Sequence, residues 1–254
     1  MTFIKFDENK IAKINPKDLV MPILDIPKIG ITCFSKKLVD KILNLFPHEI
    51  IGELSSANGK TPIYKFNYKG TLIAFYMSPV GAPLCVGFYE EILAMGLEKL
   101  IMFGTCGVLD KTIKDLTIIV PNKAIRDEGT SYHYQKDDDL IAVNEKFIDD
   151  FIKILKTNNY HYRVGTIWTT DAFYRETPDK ILLARKLKVL GVDMECSAMA
   201  AVAKFRNKDF FQFFYAADNL DSHTWDKRSL SNNSKLDDKE KIAILALELA
   251  LKIK

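Results

Sequence analysis

The sequence predicts an α/β fold: a single three-layer domain over residues 1–254, with a central mixed, largely parallel sheet flanked by helices. Two observations predict it. Apolar strand-like runs alternate along the chain with segments of helical periodicity, and polar clusters follow several of the predicted strands. The chain has 254 residues, of which 48% are hydrophobic, so it can build one large core. Ligands bind at the carboxyl ends of parallel strands, so we expect the functional site there.

The first part of the chain predicts an arm, a strand, a helix, a hairpin and a second helix. Residues 1–27 contain three prolines and predict an irregular arm. The later elements are a strand over 29–34, a helix over 38–45 with Ser35 as its N-cap, a turn at 55–59, a hairpin of strands 62–67 and 71–77, and a helix that ends at Gly96.

The second part of the chain continues the alternation. Strands are predicted over 100–103, 116–120, 162–169 and 210–217, and the apolar residues 189–192 predict a buried strand or turn. Helices are predicted over 147–156, 180–187, 196–205 and 239–253. Two polar loops, 126–134 and 222–233, separate these elements, and loops so rich in donors often bind a ligand or contact another subunit.

The composition narrows the class of partner. The chain carries 36 basic and 33 acidic residues, a net charge of +3, so nothing in its charge requires a nucleic acid or a membrane, and we expect a small-molecule partner. No run approaches the roughly 18 apolar residues of a membrane span. Four cysteines (Cys33, Cys85, Cys106 and Cys196) lack metal-site spacing. They predict buried thiols, no metal site and a reducing, cytoplasmic compartment.

The stretch Lys188–Phe205 organises the chain. Asp193, Met194 and Glu195 stand together at the start of a helix made of small residues, after an apolar approach. One interpretation is a pair of carboxylates delivered to a ligand. The other is an acidic first turn that complements the helix dipole.

A second feature is the glycine turn that follows the strand over 100–103. Backbone amides in such a turn can cradle an anion, and Thr105 adds a hydroxyl donor beside Gly104. A purely structural turn fits this pattern equally well. Phe173 and Asp218 each follow a predicted strand end, so both could reach the same edge of the sheet.

Six short motifs, in order along residues 28–254, resemble the nucleoside phosphorylase family, which includes hexameric purine nucleoside phosphorylases and uridine phosphorylases. They are GAP at 81–83, GTCG at 104–107, RDEGTSYHY at 126–134, TDAFY at 170–174, VDMECSA at 192–198 and ADN at 217–219. The resemblance implies cleavage of an N-glycosidic bond with phosphate as co-substrate and no cofactor. It also implies a homo-oligomer, either a dimer or a hexamer.

The resemblance further implies roles for single residues. Glu195 would bind the ribose hydroxyls, Met194 would pack on the sugar with Asp193 beside it, and carboxylates there can stabilise an oxocarbenium-like sugar. Phe173 would stack on the base unless it is a core aromatic. Asp218 would protonate the purine N7 unless it is a turn aspartate. Three further assignments complete the set: Gly104 and Thr105 facing phosphate and sugar, and His133 as a sugar ligand or a subunit contact.

The sequence also departs from the family pattern. Arginines usual in phosphorylases are absent, and no arginine precedes Arg126, so Lys36, Lys37 and Arg126 are the candidate phosphate ligands. The water-activating glutamate of related nucleosidases is missing from the first loop, and Arg175–Asp179 replaces the uracil-reading residues of the pyrimidine branch. We therefore predict a purine nucleoside phosphorylase. The alternatives are a uridine phosphorylase-like or broad-specificity enzyme, a nucleosidase and a non-catalytic nucleoside-binding protein.

Overall fold

The computed structural model describes residues 6–222, 224–231 and 233–254, and its centre is one ten-stranded sheet. The strands are β1 (Ile29–Cys33), β2 (His48–Ser56), β3 (Gly59–Tyr68), β4 (Thr71–Met77), β5 (Lys99–Val108), β6 (Ile118–Asp127), β7 (Leu140–Ala142), β8 (Tyr162–Thr170), β9 (Gly191–Asp193) and β10 (Asp209–Asn219). Residues 1–5 of the predicted arm and positions 223 and 232 of the predicted polar loop lie outside the described residues.

The sheet runs β10-β6-β8-β9-β5-β1-β4-β3-β2, and an additional pairing of β10 with β5 closes five of its strands into a ring. Five strand pairs are parallel and five are antiparallel among the described residues, so the sheet is mixed, as predicted. β5 first pairs with β1, and at its carboxyl end Gly107 pairs with Val192 of β9 instead. The short β9 therefore enters the sheet beside the last residues of β5.

Helices cover both faces of the sheet. They are α1 (Pro16–Leu19), α2 (Lys36–Leu43), α3 (Ala82–Ala94), α4 (Ile148–Thr157), α5 (Pro178–Lys186), α6 (Cys196–Arg206) and α7 (Leu236–Lys252). One core contains residues of α2, α4 and α7, including Leu38, Phe151 and Leu247. The second contains residues of α3 and α6, including Tyr89 and Met199. Burial of these apolar faces on the sheet gives the three predicted layers.

The predicted elements recur, and the described residues add two 3-10 helices, Ser131–His133 and Phe173–Arg175, and three further elements. The arm contains the short helix α1, the edge strand β2 precedes the predicted hairpin, and β7 pairs with β6. All four cysteines are buried and free, which confirms the prediction of buried thiols. Over the described part of the chain, none of the helices has both the length and the apolar character that crossing a bilayer requires.

Candidate active site

A cavity of about 530 Å³ opens at the carboxyl ends of β5, β9 and β10, where the sequence predicted the site. Its wall contains apolar groups, an exposed aromatic pair and four acidic residues, and among the described lining residues none is basic. The lining residues are Phe34, Val80, Thr105, Cys106, Gly107, Phe173, Tyr174, Glu176, Val192, Asp193, Met194, Glu195, Asp218, Leu220, Trp225 and Leu230.

Asp193 holds the turn from β9 into α6. Its Oδ2 accepts hydrogen bonds from the backbone N–H groups of Glu195 (2.9 Å) and Cys196 (2.7 Å), and its Oδ1 accepts one from the Thr169 hydroxyl (2.7 Å). The carboxyl is buried, which raises its pKa although these hydrogen bonds act in the opposite direction. Asp193 thus satisfies the free donors at the start of the helix, as an N-terminal cap does.

Glu195 is the carboxyl that this turn presents to the cavity. Its Oε1 accepts a 2.6 Å hydrogen bond from the N–H of Gly81, whose positive φ of 98° lets the backbone turn into α3 there. Burial, and then the neighbouring Asp193, raises the pKa of Glu195 to about 8. The backbone anchor fixes the carboxyl in place, and Met194 lines the cavity beside it.

Asp218 lies near the end of β10 and lines the same cavity. Only 7% of the residue is exposed, and its Oδ2 accepts a 2.8 Å hydrogen bond from the indole N–H of Trp225. Burial raises the pKa of Asp218, and the bond from Trp225 opposes that shift. A buried carboxyl with a raised pKa can hold a proton and give it to a ligand.

Two aromatic side chains and a glutamate form the outer wall. Phe173 is 50% exposed and Tyr174 is 88% exposed, and their ring centroids lie 4.1 Å apart. Phe173 is therefore not a core aromatic, and its ring is free to contact a planar ligand. Glu176 follows them, and burial, together with the nearby Asp218, raises its pKa to about 7.

The glycine turn proves to be part of β5. Thr105 lines the cavity, whereas Gly104 does not, because the ring of Phe34 lies against its backbone. A Cβ added at Gly104 would lie 2.7 Å from Cδ2 of Phe34, which is closer than real Cβ contacts come. Glycine is needed here so that the Phe34 ring can pack on the strand and form one wall of the cavity.

Arg126 is not available to a phosphate in this cavity, which corrects its assignment as a phosphate ligand. The side chain is buried, and its guanidinium donates to the Ser131 hydroxyl at 2.8 Å and to the carbonyl oxygens of Lys136 (2.6 Å) and Asp138 (2.9 Å). These hydrogen bonds therefore hold the loop that follows β6 in its conformation. Arg126 borders a different groove, between β6, β8 and α5.

Three other predicted site residues also lie outside the lining of the cavity. Lys36 pairs with Asp40 one turn along α2, and Lys37 donates to the side chain of Asn233. His133 is exposed at the end of the 3-10 helix that follows β6. The structure thus does not bring the two lysine side chains or this imidazole to the carboxyl ends of β9 and β10.

Three of the lining residues, Glu176, Trp225 and Phe34, were not predicted as site residues from the sequence. Glu176 lies two residues after the aromatic pair, and Phe34 is the last residue of the strand predicted over 29–34, so position at the end of a motif or strand was a usable signal for both. Trp225 lies in the polar loop after β10, where no periodicity marks it. A lone tryptophan among polar residues was its only signal.

Known proteins are similar to this chain in sequence and in fold. The profile of the phosphorylase superfamily matches residues 28–253. The purine nucleoside phosphorylase DeoD-type 1 of Shewanella oneidensis is 29% identical over 188 residues, which cover 73% of this chain and 78% of that protein. The guanosine phosphorylase of Halorubrum lacusprofundi is 26% identical over 180 residues, covering 71% of this chain and 73% of the relative.

A solved structure agrees with these relatives. The crystal structure of uridine phosphorylase from Vibrio fischeri superimposes with a TM-score of 0.77 at 25% identity and covers 98% of this chain and 96% of its own. The family profile spans well over half of the chain, and the relatives are pentosyltransferases, the enzyme class that the sequence predicted. The chain therefore belongs to the phosphorylase superfamily.

Proposed function

We propose that this enzyme cleaves the N-glycosidic bond of purine nucleosides with phosphate and releases free base and ribose 1-phosphate. The observation that carries the proposal is Asp218, a buried carboxyl with a raised pKa in the same cavity as Glu195. Two carboxyls in one cavity can serve opposite ends of a nucleoside, one at the sugar and one at the base. The purine nucleoside and guanosine phosphorylases among the relatives support the purine assignment.

The proposed chemistry assigns a role to each group. Glu195 and Met194 hold the ribose, Asp193 fixes the turn that carries them, and Phe173 stacks on the base. As the glycosidic bond breaks, its electron pair passes to the base, and Asp218 gives a proton to N7. The sugar acquires oxocarbenium character until a phosphate oxygen bonds to its C1′. Glu195 holds the ribose hydroxyls as that charge develops, and its ionised form, which grows as pH approaches its pKa of about 8, stabilises the charge.

Phosphate would enter beside Thr105. Its hydroxyl is the donor from β5 that lines the cavity, and the Gly104 amide stays a proposed second donor. The side chains of Lys36 and Lys37 lie in exposed positions at the start of α2, close in the chain to the cavity residue Phe34. Long flexible lysines could turn toward an anion from there, since exposed ion pairs such as Lys36–Asp40 are worth at most about 1 kcal/mol.

Three broader predictions from the sequence accompany the proposal. A role in nucleoside salvage, a cytoplasmic location and a homo-oligomeric assembly, dimer or hexamer, stay predictions. The assembly is supported by the exposed aromatics Phe173 and Tyr174 at the mouth of the cavity, since large exposed aromatic side chains are enriched at protein interfaces.

The test is cleavage of inosine and uridine by the purified enzyme, with and without phosphate, following both free base and ribose 1-phosphate. Asp218→Asn should lower inosine cleavage by about 10²- to 10⁴-fold, the usual worth of a general acid. Asp149→Asn, an exposed carboxyl on α4, is the matched control and should leave the rate unchanged. Inosine cleavage that survives Asp218→Asn would refute the assignment of the acid.

Uridine phosphorolysis is the second candidate, favoured by the likeness to the Vibrio fischeri uridine phosphorylase. Under that reading the enzyme cleaves uridine but not inosine, and Asp218→Asn leaves the rate unaffected. The same assay separates the remaining alternatives. Release of free ribose without phosphate would identify a nucleosidase, and nucleoside binding without turnover would identify a binding protein.

A further inference from the structure

The loop that follows β6 contains a buried carboxylate to which the proposed chemistry gives no task. Glu128 belongs to the motif at 126–134, is only 5% exposed and lies outside the lining of the cavity. Its Oε1 accepts a 2.7 Å hydrogen bond from the hydroxyl of Ser197, and its Oε2 accepts a 2.9 Å bond from the backbone N–H of Ser131. Burial of a carboxylate is costly unless its oxygens are hydrogen-bonded, so these two donors hold Glu128 in one orientation.

Ser197 joins Glu128 to the turn that carries Glu195. It is the second residue of α6 and is fully buried, and its backbone N–H donates to the Thr169 hydroxyl at 3.1 Å. That hydroxyl donates in turn to Asp193, whose other oxygen accepts from the N–H of Glu195. A chain of four hydrogen bonds therefore leads from the Glu128 carboxylate to the backbone of Glu195.

The loop that carries Glu128 is itself fixed to the rest of the fold. Arg126 donates to the Ser131 hydroxyl at 2.8 Å and to two carbonyl oxygens further along the loop. The backbone N–H of Gly129 donates to the carboxylate of Asp171, directly after β8, at 2.9 Å. Glu128 is thus a fixed anchor, and its bond to α6 can set the position of the first turn of that helix.

We propose that Glu128 is a positioning residue for the sugar half of the site: through Ser197 it fixes the first turn of α6 and with it the carboxyl of Glu195. The inference rests on the proposed function, in which Glu195 faces the ribose, and Asp218 and Phe173 face the base. Loss of the link displaces the sugar-binding carboxyl and leaves the base-binding groups in place. A displacement of about 1 Å in such a group can lower the rate by about 10²-fold.

The experiment compares inosine with its own base, hypoxanthine, on the full-length protein. The two quantities measured are kcat/KM for phosphorolysis of inosine and the Kd of hypoxanthine from isothermal titration calorimetry. Glu128→Ala should lower kcat/KM for inosine by about 10- to 100-fold. The Kd of hypoxanthine should stay within about twofold of the wild-type value, because the free base has no ribose for Glu195 to hold.

Two further substitutions test the link from its other end. Ser197→Ala removes only the hydroxyl that donates to Glu128 and should lower kcat/KM for inosine by about three- to tenfold. The double variant should lose little more than Glu128→Ala alone, because both residues act through one hydrogen bond. Glu128→Gln keeps a carbonyl acceptor and should retain part of the activity that Glu128→Ala loses. If Glu128→Ala does not fold, Glu128→Gln and Ser197→Ala carry the comparison.

The matched control is a buried carboxylate at the other end of the same helix. Glu90 accepts hydrogen bonds of 2.7 and 2.8 Å from the guanidinium of Arg206, the last residue of α6. Glu90→Gln should lower the free energy of unfolding and leave both kcat/KM for inosine and the Kd of hypoxanthine unchanged. A general loosening of α6 would instead make this control behave like Glu128→Ala.

The remaining outcomes separate this inference from the proposed function. Equal losses for inosine and hypoxanthine, or an unchanged inosine rate in Ser197→Ala and Glu128→Ala, overturn the positioning role. If the wild type cleaves uridine instead, the purine assignment fails, and the same variants are compared on uridine and uracil, because Glu195 holds the sugar in either case. If it binds a nucleoside without turnover, the Kd of that nucleoside replaces the rate. A wild type that neither cleaves nor binds any nucleoside refutes the proposed function and the positioning role with it.

Discussion

Replacement of Asp193 by alanine tests whether this carboxyl holds the turn that presents Glu195. Its carboxyl oxygens accept hydrogen bonds from three buried donors, at donor–acceptor distances of 2.7 to 2.9 Å. The donors are the hydroxyl of Thr169 and the backbone N–H groups of Glu195 and Cys196. Alanine offers none of them an acceptor. Asparagine keeps one oxygen, which can accept from both N–H groups, but its NH2 group only donates, so the Thr169 hydroxyl loses its acceptor.

The magnitude follows from those three donors. A buried donor without a partner costs about 1–3 kcal/mol, so three of them would cost about 3–9 kcal/mol. Burial has raised the pKa of the Asp193 carboxyl, which shows that its ionised form is costly to bury. Removing the carboxyl removes that cost and so offsets part of the loss. We expect Asp193→Ala to lower the free energy of unfolding by about 3–5 kcal/mol. Asp193→Asn leaves only the Thr169 hydroxyl without its acceptor and should lose about 1–2 kcal/mol, since a hydroxyl can rotate toward another acceptor.

The assay is urea unfolding at pH 7, followed by tryptophan fluorescence, together with the KM for inosine. Asp149→Ala is the matched control, because Asp149 is an exposed acid in the first turn of α4. A helix-dipole contribution alone is worth about 0.3–1 kcal/mol, so that control should lose no more. The reasoning fails if Asp193→Ala loses as little as the control. It also fails if asparagine is as damaging as alanine, because charge rather than acceptors would then hold the turn.

Three further perturbations follow from the cavity. Trp225→Phe removes the N–H that donates to Asp218, which should raise the pKa of Asp218. The alkaline limb of the pH dependence of kcat/KM for inosine should therefore move to higher pH, and a limb that does not move would contradict this. Gly104→Ala forces the Phe34 ring aside and should lower the free energy of unfolding in urea by about 1–3 kcal/mol. A loss below about 0.5 kcal/mol would show that the ring moves without strain. The pKa of Glu176 is raised from its ordinary 4.5 to about 7, so the folded protein loses stability as pH rises from about 4.5 to about 7. Glu176→Gln should therefore raise Tm clearly more at pH 8 than at pH 4, and equal shifts at both pH values would argue against this reasoning.

Much of the fold was predictable because periodicity and strand-end chemistry repeat along this chain. The edge strand β2 was not, since Leu54 is its one buried residue and a register shift between Ile50 and Gly52 breaks its alternation. An edge strand with most of its side chains exposed carries little apolar pattern for a sequence to display. The three-residue β7 is too short to show a period at all.

The site divides along similar lines. Thr105, Glu195 and Asp218 were predicted from their positions after apolar strands, and the ends of those strands meet at one cavity. Such a pattern does not indicate where a long side chain points or which partner it finds. Lys36 is the first residue of α2 and pairs with Asp40 on the same helix. The guanidinium of Arg126 donates to residues of its own loop. Those outcomes depend on local partners that only the folded chain brings together.

The acidity of the cavity bears on the proposed reaction with phosphate. Glu176, Asp193, Glu195 and Asp218 line one cavity, and four ionised carboxyls there would repel an anionic co-substrate. Burial raises the pKa of each of them, to about 7 for Glu176 and to about 8 for Glu195. Near neutral pH part of this negative charge is therefore already neutralised by protons. The burial that prepares Asp218 to protonate a departing base thus also weakens the repulsion that an incoming phosphate would meet.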